Sequence, residues 1–189
     1  VPNKVVFGCG VSEQVVEWAE RLNGRSVMVV CDPGVKAAGI ADPLLQKLTT
    51  AFGAVCCFHE VTPDPDIALV NRMTEFAKAK KTDLLIAIGG GSAMDVAKIV
   101  AVMLNNDVKL RDLLNKAPIP RRGIPTVMVP TTAGTGSEAT PNSIILVPED
   151  ELKVGIVSPK LMPDCVILDP KMTLGLPPAI TASTGDEPS

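Results

Sequence analysis

The chain has 189 residues, 46% of them hydrophobic, and 18 basic against 21 acidic side chains give it a net charge of −3. That length suits one domain of ordinary size, and the mildly acidic balance excludes the basic face that nucleic-acid binding requires. No apolar run reaches bilayer length and no targeting segment is evident, so a cytoplasmic protein is expected, with neither membrane nor nucleic acid as partner.

The elements alternate helix and strand. "SEQVVEWAERLNG" reads as a helix capped by Ser12 and stopped by Gly24, and "SVMVVC" (26–31) follows as a strand buried on both faces. "ADPLLQKLTTAFG" repeats the helix grammar, with Asp42 as cap, Pro43 at the first helical position and Gly53 as stop. Strand "AVCCF" (54–58) leads to a capped helix in "TPDPDIALVNRMTEFAKAKK", whose Ile67, Val70, Met73, Phe76 and Ala77 fall at helical spacing. Then come strand "DLLIAI" (83–88), three glycines, and a helix through "SAMDVAKIVAVML". Beyond Asn105 a short helical piece, "KLRDLLNK", enters a proline-rich connection, "APIPRRGIP", before strand "TVMVP" (126–130). "SIILV" and "KVGIVS" read as a hairpin carried on the sheet, and "CVILDP" (165–170) as a last strand. This order predicts a parallel-sheet, Rossmann-like α/β dinucleotide-binding domain with a β-hairpin addition, covering residues 1–176. Residues 177–189 read as the opening of a second, helical domain that is not completed.

Five cysteines (Cys9, Cys31, Cys56, Cys57 and Cys165), odd in number and without a CxxC pair, read as core thiols of a reducing compartment. His59 is the only histidine and tyrosine is absent. These absences remove a tyrosine general acid and any multi-histidine metal site from what the chain builds alone.

"AIGGGSAMDVAK" (87–98) places Gly89, Gly90, Gly91 and Ser92 where a buried strand turns into a helix. Free N–H groups and a positive dipole end gather there, and glycine lets an anion approach without meeting a Cβ. Ser92 and Asp95 have capping-box spacing. The arrangement suits a phosphate; the plain alternative is a tight turn with no ligand. It is neither G-x-G-x-x-G nor a Walker loop. Asp32, at the end of an earlier strand, suits a ribose hydroxyl, or equally a turn in "DPG". "PTTAGTGSEAT" (130–140) supplies Thr131, Thr132, Thr135 and Ser137 after another strand, as neutral donors for a nucleotide or as a polar surface turn.

"GGGSAMDVAK", then "PTTAGTGSEAT", "KVGIVSPKLMPDCVILDP" and "LPPAITASTG", in that order, resemble the iron-containing (group III) alcohol dehydrogenase family over essentially the whole chain. The stretch corresponds to about the first half of a typical member. The resemblance implies an N-terminal domain binding NAD(P), an all-helical C-terminal domain holding a divalent metal (iron or zinc), and hydride transfer between an alcohol or aldehyde and nicotinamide, with a homo-oligomer admitted. By position it assigns Gly89, Gly90, Gly91 and Ser92 to the pyrophosphate and Asp32 to the adenosine ribose, favouring NAD over NADP. Thr131, Thr132, Thr135 and Ser137 fall on the cofactor loop, and Lys153 on a lysine reaching the cofactor's ribose side. The chain departs from the family at "TGDEPS", where Asp186 and Glu187 stand around the first metal-ligand position; neither is assigned as a ligand, and no catalytic residue is assigned. This half is therefore expected to bind NAD without turning over alcohol. The competing readings are a non-catalytic nucleotide-binding module, a glycerol dehydrogenase (whose glycine loop carries Lys at the place of Ser92) and a 3-dehydroquinate synthase relative.

Overall fold

Six parallel strands form one sheet in the order β1-β8-β5-β4-β2-β3, in a computed structural model that describes residues 4–133 and 136–174. The strands are β1 (Lys4–Phe7), β2 (Val27–Val30), β3 (Cys56–Phe58), β4 (Leu84–Gly89), β5 (Thr126–Pro130) and β8 (Cys165–Leu168). β6 (Asn142–Val147) and β7 (Leu152–Val157) pair antiparallel as a separate two-stranded sheet, so the expected hairpin exists but is not hydrogen-bonded into the main sheet. Its only ladder contact outside itself, among the described residues, is a bridge between Asp66 and Leu146.

Alternating strand residues divide the core into two layers. Met28, Val30, Leu85, Ala87 and Met128 face one side, with α4 (Ile67–Ala79) and α5 (Gly91–Leu104). Val27, Val29, Leu84, Ile86 and Val127 face the other, with α1 (Val15–Arg21) and α3 (Asp42–Phe52). Burial on both faces is what the continuous apolar runs demand. α5 is interior: every residue from Ala93 to Met103 is buried. The connection before β5 presses onto it so closely that a Cβ on Gly123 would stand 2.5 Å from the Ala101 carbonyl carbon and 2.6 Å from the Val102 nitrogen.

Several local details differ from expectation. β1 was not anticipated; its four residues are mostly exposed, and its register along β8 supplies what its composition does not. Ser12 does not cap α1 but lies in a 3-10 turn (Val11–Gln14), where its N–H donates to Asp169. Asp42 is the first helical residue of α3, with Ala41 in the cap position and Asp42 paired to Lys36. After α1 the left-handed residue is Asn23 (φ 61°), one before Gly24, because asparagine tolerates that conformation. Phe76 is 36% exposed rather than core, stacked obliquely on Phe58. Cys9 is exposed and Cys56 and Cys57 are half-buried, so only Cys31 and Cys165 are true core thiols. A short helix, α2 (Pro33–Ala37), replaces the simple turn read in "DPG"; α6 (Leu110–Leu114) and α7 (Lys171–Leu174) complete the helices among the described residues. None of these helices is long and apolar enough to cross a membrane.

Candidate functional site

β2 leads outward to β3, whereas β4 leads the opposite way to β5, so the strand order reverses between β2 and β4. In open α/β sheets a crevice opens beyond the carboxyl ends at such a reversal. Asp32 follows β2 and the glycines follow β4, so both predicted features stand on this crevice.

Asp32 is shared between two elements. It caps α2 by accepting from the Val35 N–H (2.9 Å) with Oδ1, and it accepts from the Gly90 N–H (3.3 Å) with Oδ2. The two readings of Asp32, turn residue and crevice acid, are therefore compatible. Gly89 makes room for it, since a Cβ there would stand 2.9 Å from Oδ2 and 3.0 Å from the Ala93 Cβ. Gly90 has a different reason. Its φ of −91° suits any residue, and a Cβ there would find Thr132 Oγ1 at an ordinary 3.6 Å. Neither backbone nor packing requires glycine at 90; a Cβ would only narrow the crevice.

Gly91 and Ser92 open α5, whose first-turn N–H groups have no intrahelical acceptor. The Ser92–Asp95 capping box does not form. The helix starts two residues earlier than that box needs, with Gly90 in the cap position and no side-chain cap, and Asp95 points instead to Lys98 and the β6 backbone. Thr131 is fully buried and its N–H donates to the Gly89 carbonyl (3.0 Å), fastening the loop after β5 to the glycine turn. The hydroxyls of Thr131 and Thr132 are both buried without a hydrogen-bond partner. Such orphaned groups are costly unless something external completes them.

Asp32, Gly90, Gly91, Ser92, Thr131 and Thr132 line a cleft of about 400 Å³. A second cleft of about 240 Å³ shares Gly91 and Ser92 with it and adds Asp95, Ser137, Lys153 and Asp64. Together they make one groove across the N-terminus of α5. Thr135 and the pair Asp186 and Glu187 lie outside the described residues. Lys153, on β7, pairs with Asp64 at 2.6 Å, both about half-exposed. Asp64 was not singled out in the sequence; in the structure it takes a left-handed φ of 53° within "TPDPD". Behind Asp32, the Cys31 and Cys57 sulfurs lie 3.9 Å apart. Their shared hydrogen bond, followed by burial, pushes the Cys31 thiol up, while the same bond holds Cys57 below the ordinary thiol range.

The groove's free N–H groups, unpartnered hydroxyls and ribose-suited carboxylate fit a dinucleotide. No fit to a metal ion is found: among the described residues no group of three or more His, Cys, Asp or Glu side chains could hold one. His59 is exposed.

The family model for iron-containing alcohol dehydrogenase matches residues 2–170. Sulfoacetaldehyde reductase of Bilophila wadsworthia is 35% identical over 182 residues, 96% of this chain and 47% of the relative. Among solved structures, a 1,3-propanediol oxidoreductase superposes with a TM-score of 0.90 at 31% identity, over 98% of this chain and 48% of that one. The sulfoacetaldehyde reductase of Bifidobacterium kashiwanohense, in complex with NAD+, superposes with a TM-score of 0.88 at 33% identity, over 97% and 49%. The chain thus spans about half the length of the relatives it matches. With the match running through both the glycine turn and the loop after β5, the chain belongs to the iron-containing alcohol dehydrogenase family.

Proposed function

We propose that residues 1–176 form the NAD-binding domain of an alcohol dehydrogenase that interconverts a small alcohol and its aldehyde. The observation that carries this reading is the groove over α5, where two buried threonine hydroxyls lack partners and Gly90 leaves open the space a Cβ would take. In this reading the first-turn N–H groups of α5 hold the pyrophosphate, and Thr131 and Thr132 donate to the cofactor. Asp32 takes the adenosine ribose while still fixed by Val35 and Gly90. Its carboxylate repels a 2′-phosphate, which selects NAD over NADP. Ser137 and Lys153 border the farther part of the groove, and Thr135 belongs to the same loop. Bound NAD supplies the hydride acceptor. The chain's part is to orient it and to keep its phosphates on a rigid, buried helix.

The divalent metal, iron or zinc, is assigned to the complete enzyme, and the residues described here take no step through it. A cytoplasmic, homo-oligomeric protein without nucleic-acid or membrane partners completes the reading. Calorimetric titration with NAD and NADP is the test: saturable NAD binding with weaker or absent NADP binding is expected, and absence of both would overturn it.

A further inference from the structure

Lys98 is the largest fully buried side chain, with 1% exposure, and a lysine in that position needs a reason. Its Nζ donates to the carbonyls of Ser137 (2.8 Å) and Thr140 (3.2 Å) and lies 3.4 Å from Asp95 Oδ1. Asp95 reaches the next stretch of the same segment: its Oδ2 accepts from the Ile144 N–H (3.3 Å), and its backbone carbonyl accepts from the Ser143 hydroxyl (3.0 Å). One turn of α5 therefore grips the chain at residues 137, 140, 143 and 144. The other end of that chain is fastened at Thr131 to Gly89, on the turn from which α5 springs. Both ends of the hydroxyl-rich loop are tied to one strand–helix unit.

Stability alone is a poor reason for this pair. Taking two charges out of water costs about as much as their attraction returns, and apolar residues of similar volume often serve as well or better. A charged ammonium does what an apolar side chain cannot: it orders two backbone carbonyls at fixed positions. Ser137, so held, borders the second cleft, on the side of the α5 N-terminus away from Asp32.

We propose that Asp95 and Lys98 are positioning residues for the cofactor, clamping the loop after β5 so that the part of the groove beyond the pyrophosphate has a fixed shape. This rests on the NAD reading above, in which the adenosine half lies at Asp32. The clamp then acts on the nicotinamide half and not on the adenosine half.

ADP separates the two halves, because it carries adenosine and pyrophosphate and nothing beyond. Lys98→Met leaves the Asp95 carboxylate without its cation, and Asp95 itself borders the second cleft, so the paired variant Asp95→Asn/Lys98→Met is compared with Asp95→Asn alone, which keeps Lys98 on the Ser137 and Thr140 carbonyls. NAD and ADP affinities are measured by calorimetry, with folding checked by circular dichroism. Relative to Asp95→Asn, the double variant is expected to bind NAD at least about tenfold more weakly while ADP affinity stays within about twofold. A purely structural pair would lower both ligands together or neither, and either result overturns the proposal. If the unaltered protein binds neither ligand, the dinucleotide reading falls and this inference with it. If the unaltered protein binds NAD and the double variant binds it equally well, only the clamp is refuted.

Discussion

Two carboxylates end buried parallel strands and are used in opposite ways. Asp169, just past β8, is 3% exposed and accepts from the N–H groups of Gly10 (3.0 Å), Ser12 (3.0 Å) and Lys171 (2.9 Å). Burial works against its ionisation, but the Ser12 side chain and these backbone donors outweigh it and hold the carboxyl below the usual range. Asp32, just past β2, accepts from two backbone donors and faces a cleft. Two glycines divide in the same way. Gly123 has no side chain because helix α5 is in the way; Gly90 has none although the protein leaves room for one. Beside the edge strand the Asp169 carboxylate is completed from within. At the centre of the sheet, groups are fixed in direction yet left incomplete, which is how a rigid protein offers a ready-made binding site.

Four substitutions test that contrast. Gly123→Ala drives a Cβ into the α5 backbone and is expected to lower unfolding free energy by about 3 kcal/mol in denaturant titration. A loss below about 1 kcal/mol would show that the connection can shift away from the helix. Gly90→Val should do the reverse: stability within about 1 kcal/mol of the parent, but NAD affinity reduced about 100-fold, or ~2.7 kcal/mol. Unchanged NAD affinity would mean that the open space at Gly90 is not where phosphate sits.

Asp169→Asn should cost about 2 kcal/mol at neutral pH, since backbone donors lose a charged acceptor. Because the folded-state pKa is depressed, this contribution is fully present above the unfolded value of about 3.9 and is lost as pH falls through the lower folded value. The stability gap between parent and variant should therefore be flat above about pH 5 and close below about pH 4; a gap that persists unchanged into acid would refute the ionised cage. Asp32→Asn is the mildest. NAD affinity should fall about tenfold and the preference over NADP should narrow, with stability nearly unchanged because the asparagine oxygen caps α2 as well as the carboxylate does. Retained discrimination against NADP would move the ribose contact elsewhere.

The pattern of what the sequence disclosed follows from where the information lies. Strand and helix alternation, the glycine turn and the hydroxyl loop are local, and their residues land on one crevice because strand order puts β4 between β2 and β5. Long-range partners leave weaker traces. Asp95 looked like a cap because Ser92 stands three residues before it, yet besides Lys98 its partners lie on β6, some fifty residues on. Lys98, in a run of apolar residues, carried no sign of the two carbonyls it binds. β1 alternates too little to be read as a strand, and Asp169 gave no hint that it would fasten residues 10 and 12. The hairpin was legible as a hairpin, but its separation from the main sheet depends on α5 lying beneath it.

That edge strand also constrains the order in which the chain can assemble. Among the described residues Lys4 pairs with Cys165, and Phe7 with Leu168. During synthesis β1, carrying the exposed Phe7 ring, therefore lacks its β8 partner until nearly all of the described chain has emerged. Closing so long a loop is entropically slow, and the unpaired strand is open to wrong partners meanwhile. The Asp169 cage ties residues 10 and 12 to the far end of β8, so its hydrogen bonds too can form only once that end of the chain is made.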